Sequence, residues 1–354
     1  MYSMTSMKHA IDFLNDIKPT DEIVIIFNND ADGICSCVLL NKFFEKTGRR
    51  RPYVISQPMP MDNNIIRRIQ TTIPNKIIFL DLAVDQQQNI LKKLGGICDI
   101  LIIDHHQAYK NLTEKNIVHY NPRFEKKDIY QSTSYLVYKV LSKIVDFSEF
   151  LWLAGIGMIA DYNLDYSRDV VDEIKKTYSL DDIVKSPLGR WSAMISSSRA
   201  TKAVNCEQFV NILENVKDFS NFSDVKDAEK INESYQKIEH EIVSLLQDAE
   251  ANAERIGKII FYEIKSKFNL SSGISTRLSE NYRDKLVVIY EKKESKVKVS
   301  ARNQSNKIDA GNALKKATLG LKASGGGHEA AAGATIKPAD WDTFKENLIR
   351  IVNK

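Results

Sequence analysis

The segment Ile23–Gly33, which reads IVIIFNNDADG, decides the fold class of the chain. Its opening run, Ile23 to Phe27, is apolar and rich in β-branched residues, as is typical of a strand buried on both faces. Asp30, Asp32 and Gly33 follow, and a helical pattern continues from Ile34 to Phe44. A buried strand that leads through acidic residues into a helix indicates an α/β fold built on a parallel sheet.

The same alternation of a short apolar run and a helical pattern recurs along the first half of the chain. The further predicted strands are Tyr53 to Ile55, Lys76 to Leu80 and Asp99 to Ile103, with predicted helices at Asn63 to Gln70 and Gln86 to Leu94. We therefore expect a parallel sheet covered by helices on both faces, with functional groups beyond the carboxyl ends of its strands.

The pattern changes twice further along the chain. Predicted helices cover Ser134 to Val145, Glu149 to Ala160 and Asp169 to Lys176 and complete a first domain, residues 1–188. Residues 189–256 show much charge and little strand signal, so they are predicted to form a helical connector. A new α+β pattern begins at Lys258 and indicates a smaller C-terminal domain, residues 257–354.

Composition limits the classes of protein that need consideration. The chain has 354 residues, 43% of them hydrophobic, which suits two domains with separate cores. A net charge of +4 is too small to indicate a general nucleic-acid coat. The four cysteines form no CxxC pair, which favours a reduced, cytoplasmic environment over a disulfide scaffold or a structural zinc site. The amphipathic N-terminus and the short apolar run Phe150 to Ala160 predict no membrane segment.

Acidic and histidine residues cluster where the predicted strands and one helix end. They are Asp30 and Asp32, Asp81, the triplet Asp104-His105-His106, and Asp161. Carboxylates and imidazoles brought together from separate strand ends suit a site for two divalent cations, about 3.5–4 Å apart, of the kind that hydrolyses phosphate esters. The adjacent histidines point in different directions, so that one can bind metal while the other faces a phosphate, and Asp104 can fix an imidazole tautomer.

Each of these residues also has a simpler interpretation. Asp30 or Asp32 could cap the following helix, and Asp81 could be an ordinary loop residue. The histidines could face solvent at a helix start, and Asp161 could merely end a helix, although an anion is disfavoured there.

A glycine-rich segment, Ser324 to His328, is predicted to form a turn near the end of the chain. The bare amides of Gly325, Gly326 and Gly327 could approach an anion closely, and Arg302, on a predicted strand, could supply a cation. The alternative is a flexible surface loop.

Taken together, these segments resemble the DHH phosphoesterase superfamily, which contains RecJ-type exonucleases, oligoribonucleases that degrade very short RNAs, and cyclic-dinucleotide phosphodiesterases. Asp30-Ala31-Asp32-Gly33 is similar to its first motif, Asp81 to its second, Asp104-His105-His106 to its third, and Asp161 to its fourth. The C-terminal part resembles the DHH-associated domain through Ser300-Ala301-Arg302 and Gly325-Gly326-Gly327-His328-Glu329-Ala330-Ala331-Ala332-Gly333. The resemblance implies a parallel-sheet DHH domain followed by a substrate-binding domain.

The resemblance also implies roles for individual residues. Two divalent cations, Mn²⁺ in the first place and Mg²⁺ as the alternative, would be held by Asp30, Asp32, Asp81, His105 and Asp161, with Asp81 as a bridge. His106 would contact the scissile phosphate, while Arg302, the three glycines and His328 would hold a terminal nucleotide. The family often has His or Asp at the position of Asn28, whose amide oxygen could bind a cation but brings no charge.

Three functions remain open from the sequence. The first is a metal-dependent exonuclease or phosphodiesterase that hydrolyses single-stranded DNA or RNA, or short oligonucleotides, to nucleoside monophosphates. The second is a hydrolase of cyclic dinucleotides or small phosphoanhydrides, and the third is a non-catalytic binding subunit in replication. The retained acidic and histidine residues argue against the third. A homo-oligomer, or a partner in replication or repair, is compatible with each of the three functions.

Overall fold

The computed structural model describes residues 3–61, 64–94, 98–162, 164–222, 224–305, 307–327 and 329–353. The chain forms two compact units, Met1–Tyr235 and Gln236–Lys354. The division into a catalytic domain, a connector and a C-terminal domain at residues 188 and 256 stays a prediction.

A five-stranded parallel sheet forms the centre of the first unit, with the strand order β2-β1-β3-β4-β5. Its strands are β1 (Ile23–Phe27), β2 (Tyr53–Ser56), β3 (Lys76–Leu80), β4 (Asp99–Ile103) and β5 (Ile117–Tyr120). The predicted α/β class is confirmed. The order places β1 between β2 and β3, so the connections run to opposite sides of β1 and leave a crevice at the carboxyl edge of the sheet.

Helices cover both faces of this sheet, as the doubly apolar strands predict. The α-helices before residue 228 in the described part of the chain are α1 (Ser3–Asn15), α2 (Ala31–Lys46), α3 (Asn64–Gln70), α4 (Gln88–Leu94), α5 (Thr133–Leu141), α6 (Leu151–Ala160), α7 (Arg168–Tyr178), α8 (Pro187–Thr201) and α9 (Cys206–Glu214). Ile25 and Phe27 of β1 face the larger core with α1, α2, α5 and α6. Val24 and Ile26 face the smaller core with α3 and α4. No helix in the described part of the chain is long and apolar enough to cross a membrane.

Gly157, in α6, allows that helix to approach the carboxyl edge of the sheet closely. A Cβ atom at this position would lie 2.2 Å from Ser134 Oγ and 2.6 Å from Asp32 Oδ1, and both distances are too short for any side chain. The missing side chain therefore lets α6 pack directly on the start of α5 and on the acidic turn that begins α2.

The second unit contains a six-stranded sheet with the order β10-β11-β9-β8-β7-β6, in which only β7 and β8 are parallel. Its strands are β6 (Glu254–Ile256), β7 (Ile259–Glu263), β8 (Leu286–Lys293), β9 (Lys296–Arg302), β10 (Ala323–Gly327) and β11 (Ala331–Ile336). The α-helices that follow α9 in the described residues are α10 (Ala228–Asn252), α11 (Ser271–Asn281), α12 (Ala310–Ala317) and α13 (Trp341–Val352). The sheet and helices match the α+β pattern that the sequence predicts.

The prediction of a glycine-rich turn at Ser324 to His328 is wrong for the described residues of that segment. Gly325, Gly326 and Gly327 belong to β10, an edge strand paired in antiparallel register with Ala334, Gly333 and Ala332 of β11. Glycine is disfavoured in strands, but it is tolerated in this strand because the partner residues are also small and the two backbones can pair.

The contacts of Gly157 lead to a stability prediction. We expect Gly157→Ala to lower the free energy of unfolding by about 1–3 kcal/mol, because the added methyl group overpacks the contact with Ser134 and Asp32. Gly273→Ala is the matched control, since a Cβ there meets no atom within 4 Å and alanine is the better helix former. Thermal melts of both variants measure the difference, and equal midpoints would contradict the close approach of α6.

Candidate metal and catalytic centre

Three motif segments emerge side by side at the carboxyl edge of the first sheet. The last residues of β1, β3 and β4 are Phe27, Leu80 and Ile103, and they are direct neighbours in the strand register. Asp81 and Asp104 follow immediately after two of these residues, and Asn28 follows the third. The sheet therefore brings polar groups that are far apart in sequence to one edge.

The turn after β1 is a helix cap as well as part of the cluster. Asp30 Oδ1 accepts a hydrogen bond from the Gly33 backbone N–H at 3.0 Å, and its Oδ2 accepts one from Asn28 Nδ2 at 2.8 Å. Gly33 is required here because a Cβ would lie 2.3 Å from the Asn28 carbonyl oxygen. Asp30 is therefore both the N-cap of α2 and a member of the acidic cluster.

Asp32 is fully buried and connects two helices. Its two carboxylate oxygens accept the backbone N–H groups of Thr133 at 2.7 Å and Ser134 at 2.9 Å, at the positive end of α5. Burial raises the pKa of Asp32 to about 6 and the charge of Asp30 adds to this, while the hydrogen bonds from Ser134 and Thr133 oppose it.

Asp81 lies at the centre of the cluster and is almost fully buried. Its Oδ1 accepts a hydrogen bond from Thr133 Oγ1 at 3.1 Å, and its Oδ2 accepts one from Asn28 Nδ2 at 3.2 Å. Its backbone has a φ of 60°, a left-handed conformation that is uncommon for a non-glycine residue and often accompanies a functional site. The Asp81 N–H nevertheless continues the strand pairing through Ile103 O at 3.0 Å.

His105 joins the second and fourth motifs. Its Nε2 lies 3.1 Å from both Asp81 Oδ1 and Asp161 Oδ2, although Asp161 comes from the end of α6. The His105 side chain is only 5% exposed, whereas that of His106 is 41% exposed, and their ring centres lie 4.6 Å apart with the planes at 55°.

Asp104 orients His106 through a contact of 2.8 Å between Asp104 Oδ1 and His106 Nδ1. Burial alone would raise the pKa of Asp104, but the imidazoles of His106 and His105 outweigh it and hold that pKa well below its usual range. Burial alone would lower the pKa of His106, and the Asp104 carboxylate outweighs it and raises that pKa to about 9. The Nδ1 of His106 is thus engaged by Asp104, and its Nε2 points away from that carboxylate.

The donor set of this cluster fits divalent cations. Two groups, Asp81 with His105 and His106, and Asp32 with His105 and Asp161, each have their ligand atoms within 4.8 Å of one another. Burial and the neighbouring carboxylates raise the pKa of Asp81 and of Asp161 well above the usual value. Among the described residues, the ion-pair partners of these carboxylates are imidazoles and never Lys or Arg. Oxygen and imidazole donors with excess negative charge suit Mn²⁺ or Mg²⁺.

Three polar residues of the centre escaped the sequence prediction. Thr133 donates to Asp81, Asn121 Nδ2 donates to His106 O at 3.0 Å, and Arg123 Nε donates to His105 O at 2.8 Å. The available signals were two helix starts, since Ser132 caps α5 and Asn121 caps the short 3₁₀ helix Pro122–Phe124. Such signals indicate a cap, but they do not indicate that the cap supports residues far away in the sequence.

The predicted substrate-binding residues belong to the second unit. Arg302 ends β9 and lies opposite Ala331 of β11, and the three glycines form β10. His328 lies outside the described residues. The role of each in binding stays a prediction.

Two family models match the chain. Residues 22–159 match the DHH family, N-terminal domain, and residues 257–354 match the DHHA1 domain. No curated protein matches the chain in sequence.

Several solved structures share the fold at low sequence identity. RecJ from Thermus thermophilus, in complex with Mn²⁺, has a TM-score of 0.74 at 17% identity over 98% of this chain and 54% of its own, so this chain spans about half of that protein. The pGpG-specific phosphodiesterase PggH from Vibrio cholerae has a TM-score of 0.52 at 14% identity over 94% of this chain and 99% of its own. CDC45 from Entamoeba histolytica has a TM-score of 0.52 at 13% identity over 99% of both chains.

The hydrogen bonds of Asn28 lead to a prediction about cation affinity. Asn28→Asp removes the amide donor shared by Asp30 and Asp81 and adds a carboxylate beside them. We expect the metal-free protein to lose about 1–3 kcal/mol of stability and its affinity for Mn²⁺ to rise about tenfold, which corresponds to about 1.4 kcal/mol. Calorimetric titration and thermal melts with and without Mn²⁺ measure both effects.

Asn29→Asp is the matched control, because it places the same charge one residue away, where the Asn29 side chain meets Arg199 rather than the carboxylates. Unchanged Mn²⁺ affinity in Asn28→Asp, or an equal gain in both variants, would show that residue 28 does not act on the cation site.

Proposed function

The chain belongs to the DHH phosphoesterase superfamily, and we propose that it is a metal-dependent phosphodiesterase that releases nucleoside monophosphates from single-stranded nucleic acid or short oligonucleotides. The observation that carries the proposal is the position of the His105 imidazole, 3.1 Å from the buried carboxylate of Asp81 and 3.1 Å from the partly buried carboxylate of Asp161, which come from different elements. A histidine held between Asp81 and Asp161 is of little use to a folded core, but it is the arrangement that a hydrolytic cation site needs.

In this proposal, Asp30, Asp32, Asp81, His105 and Asp161 hold two ions, Mn²⁺ or Mg²⁺. When bound, such ions lower the pKa of a water molecule and stabilise the charge that develops on the phosphoryl oxygens. Thr133 and the α5 backbone orient Asp81 and Asp32, so that neither carboxylate has to reorganise when substrate binds.

His106 is proposed to bind the scissile phosphate. Its Nδ1 is engaged by Asp104, which leaves Nε2 as the donor toward substrate, and the Asp104 carboxylate favours the charged imidazole. In the second unit, Arg302, the glycines of β10 and His328 are proposed to hold the terminal nucleotide. Arg302 supplies a cation and the glycine strand supplies an edge without side chains.

A non-catalytic role in replication is less well supported. A scaffold has no need to keep the carboxylates of Asp32 and Asp81 buried with that of Asp161 beside them, because each raises the electrostatic cost of the next. The retention of these charges favours an enzyme.

A digestion of end-labelled oligonucleotides of graded length tests the substrate class, with a cyclic dinucleotide alongside. We expect mononucleotide products, similar rates per end for short and long single strands, and resistance of duplexes. With a net charge of only +4, few phosphates should be neutralised, so affinity should depend weakly on salt. Cleavage of the cyclic dinucleotide alone, or a steep salt dependence with a strong preference for long strands, would contradict this substrate class.

A substitution at the centre of the cluster tests the chemistry. Asp81→Asn removes charge at nearly constant volume, so we expect hydrolysis to fall by more than about 100-fold while the fold is retained. Asp99→Asn is the matched control, because Asp99 begins β4 and lies at the opposite edge of the same sheet, where it pairs with Lys76. Rates with added Mn²⁺ and circular dichroism of both variants are the measurements. Retained turnover in Asp81→Asn would exclude Asp81 as a ligand.

A further inference from the structure

A cation and an aromatic ring lie directly against His105. Arg123 Nε donates to the His105 carbonyl oxygen at 2.8 Å, and the Arg123 guanidinium lies 5.6 Å from the centre of the Tyr130 ring. The Tyr130 ring centre lies 5.4 Å from that of His105, with the planes 31° apart. Arg123 and Tyr130 therefore belong to the immediate surroundings of the cluster, although neither is part of a motif that the family resemblance covers.

Hydrogen bonds hold Arg123 in place and leave one of its side-chain nitrogens available as a donor. Asn121 Oδ1 accepts its backbone N–H at 3.0 Å, and its Nη1 donates to Lys127 O at 3.1 Å. Its Nη2 makes no hydrogen bond with the described residues, and the side chain is half-buried. A guanidinium that is held at two of its nitrogens and open at the third is preorganised to bind an oxyanion.

An exposed aromatic residue, Tyr166, lies on the short 3₁₀ helix Leu164–Ser167 that follows Asp161. Tyr166 is 48% exposed, and its carbonyl oxygen accepts a hydrogen bond from Gln131 Nε2 at 2.9 Å, which ties this helix to the segment that carries Tyr130. This hydrogen bond places Tyr166 beside the segment whose Tyr130 ring contacts the Arg123 guanidinium.

These contacts distinguish a nucleotide from other phosphate esters. An exposed tyrosine ring offers a stacking surface to any nucleobase, and a neighbouring arginine offers a bond to the adjoining phosphate. A phosphoanhydride without a base has nothing to place on Tyr166. A cation at this point also offsets the repulsion between the carboxylate cluster and an incoming polyanion.

We propose that Arg123, Tyr130 and Tyr166 form a nucleotide-binding shelf beside His105, on which Tyr166 stacks a nucleobase and Arg123 Nη2 binds the phosphate attached to it, while Tyr130 holds the guanidinium in position. The shelf rests on the proposed function and specifies it further, because it assigns recognition of one nucleobase and its phosphate to the first unit.

The test measures binding separately from hydrolysis. A dinucleotide that carries 2-aminopurine reports base stacking through the quenching of its fluorescence. An abasic dinucleotide that competes with it reports phosphate binding alone. Both measurements are made with Ca²⁺ in the buffer. We expect Tyr166→Ala to weaken binding of the 2-aminopurine dinucleotide about 5- to 100-fold and to leave the competition by the abasic dinucleotide unchanged. Tyr166→Phe should bind like the wild type, because the ring is retained.

Two further variants complete the test. Arg123→Lys should weaken the binding of both dinucleotides, because the ammonium cannot make the forked contacts of the guanidinium. Tyr53→Ala should change neither, since Tyr53 is as exposed as Tyr166, at 51%, but begins β2 at the opposite edge of the sheet.

The shelf would be rejected if Tyr166→Ala bound both dinucleotides as tightly as the wild type, or if it bound both equally more weakly. It would also be rejected if the wild-type protein did not quench the fluorescence of 2-aminopurine. Quenching by the wild type together with a lack of hydrolysis in Mn²⁺ would leave the shelf standing and reject the proposed hydrolysis instead.

Discussion

The first unit is organised around the confinement of negative charge at one edge of its sheet. Asp32, Asp81 and Asp104 are almost fully buried, and Asp30 and Asp161 lie beside them. Two like charges about 4 Å apart repel each other by about 4 kcal/mol at the effective dielectric constant of a protein surface. A fold that holds five carboxylates there must compensate them, and the neighbouring elements show how it does so.

Hydrogen-bond donors and an imidazole that lie beside the carboxylates compensate their negative charge. The α5 backbone N–H groups bind Asp32, and the Thr133 hydroxyl and the Asn28 amide bind Asp81. His105 contacts two carboxylates at once. The remaining excess charge is seen in the raised pKa values of Asp81 and Asp161. The glycines at 33 and 157 serve the same arrangement, because they let backbone and helix approach where a side chain would displace the acidic turn.

Sequence reasoning succeeded where a local pattern determines the structure. The strands β1, β3 and β4 have the predicted bounds, because apolar runs followed by acidic residues have few alternatives. It failed for β5, since Ile117–Tyr120 is short and carries His119, and for β10, whose glycines resemble a turn until their pairing with β11 is known. Thr133, Asn121 and Arg123 were missed for a related reason. Their roles depend on partners such as Asp81 and His105, which only the tertiary fold brings near.

The most direct test of the central claim is anomalous scattering from crystals grown with Mn²⁺. The account predicts two manganese peaks about 3.5–4 Å apart, both beside Asp81, with His105 and Asp161 each within coordination distance of at least one of them. Peaks only at surface carboxylates, or a cluster whose carboxylates remain bonded to Asn28 and His105 with no manganese density between them, would contradict it.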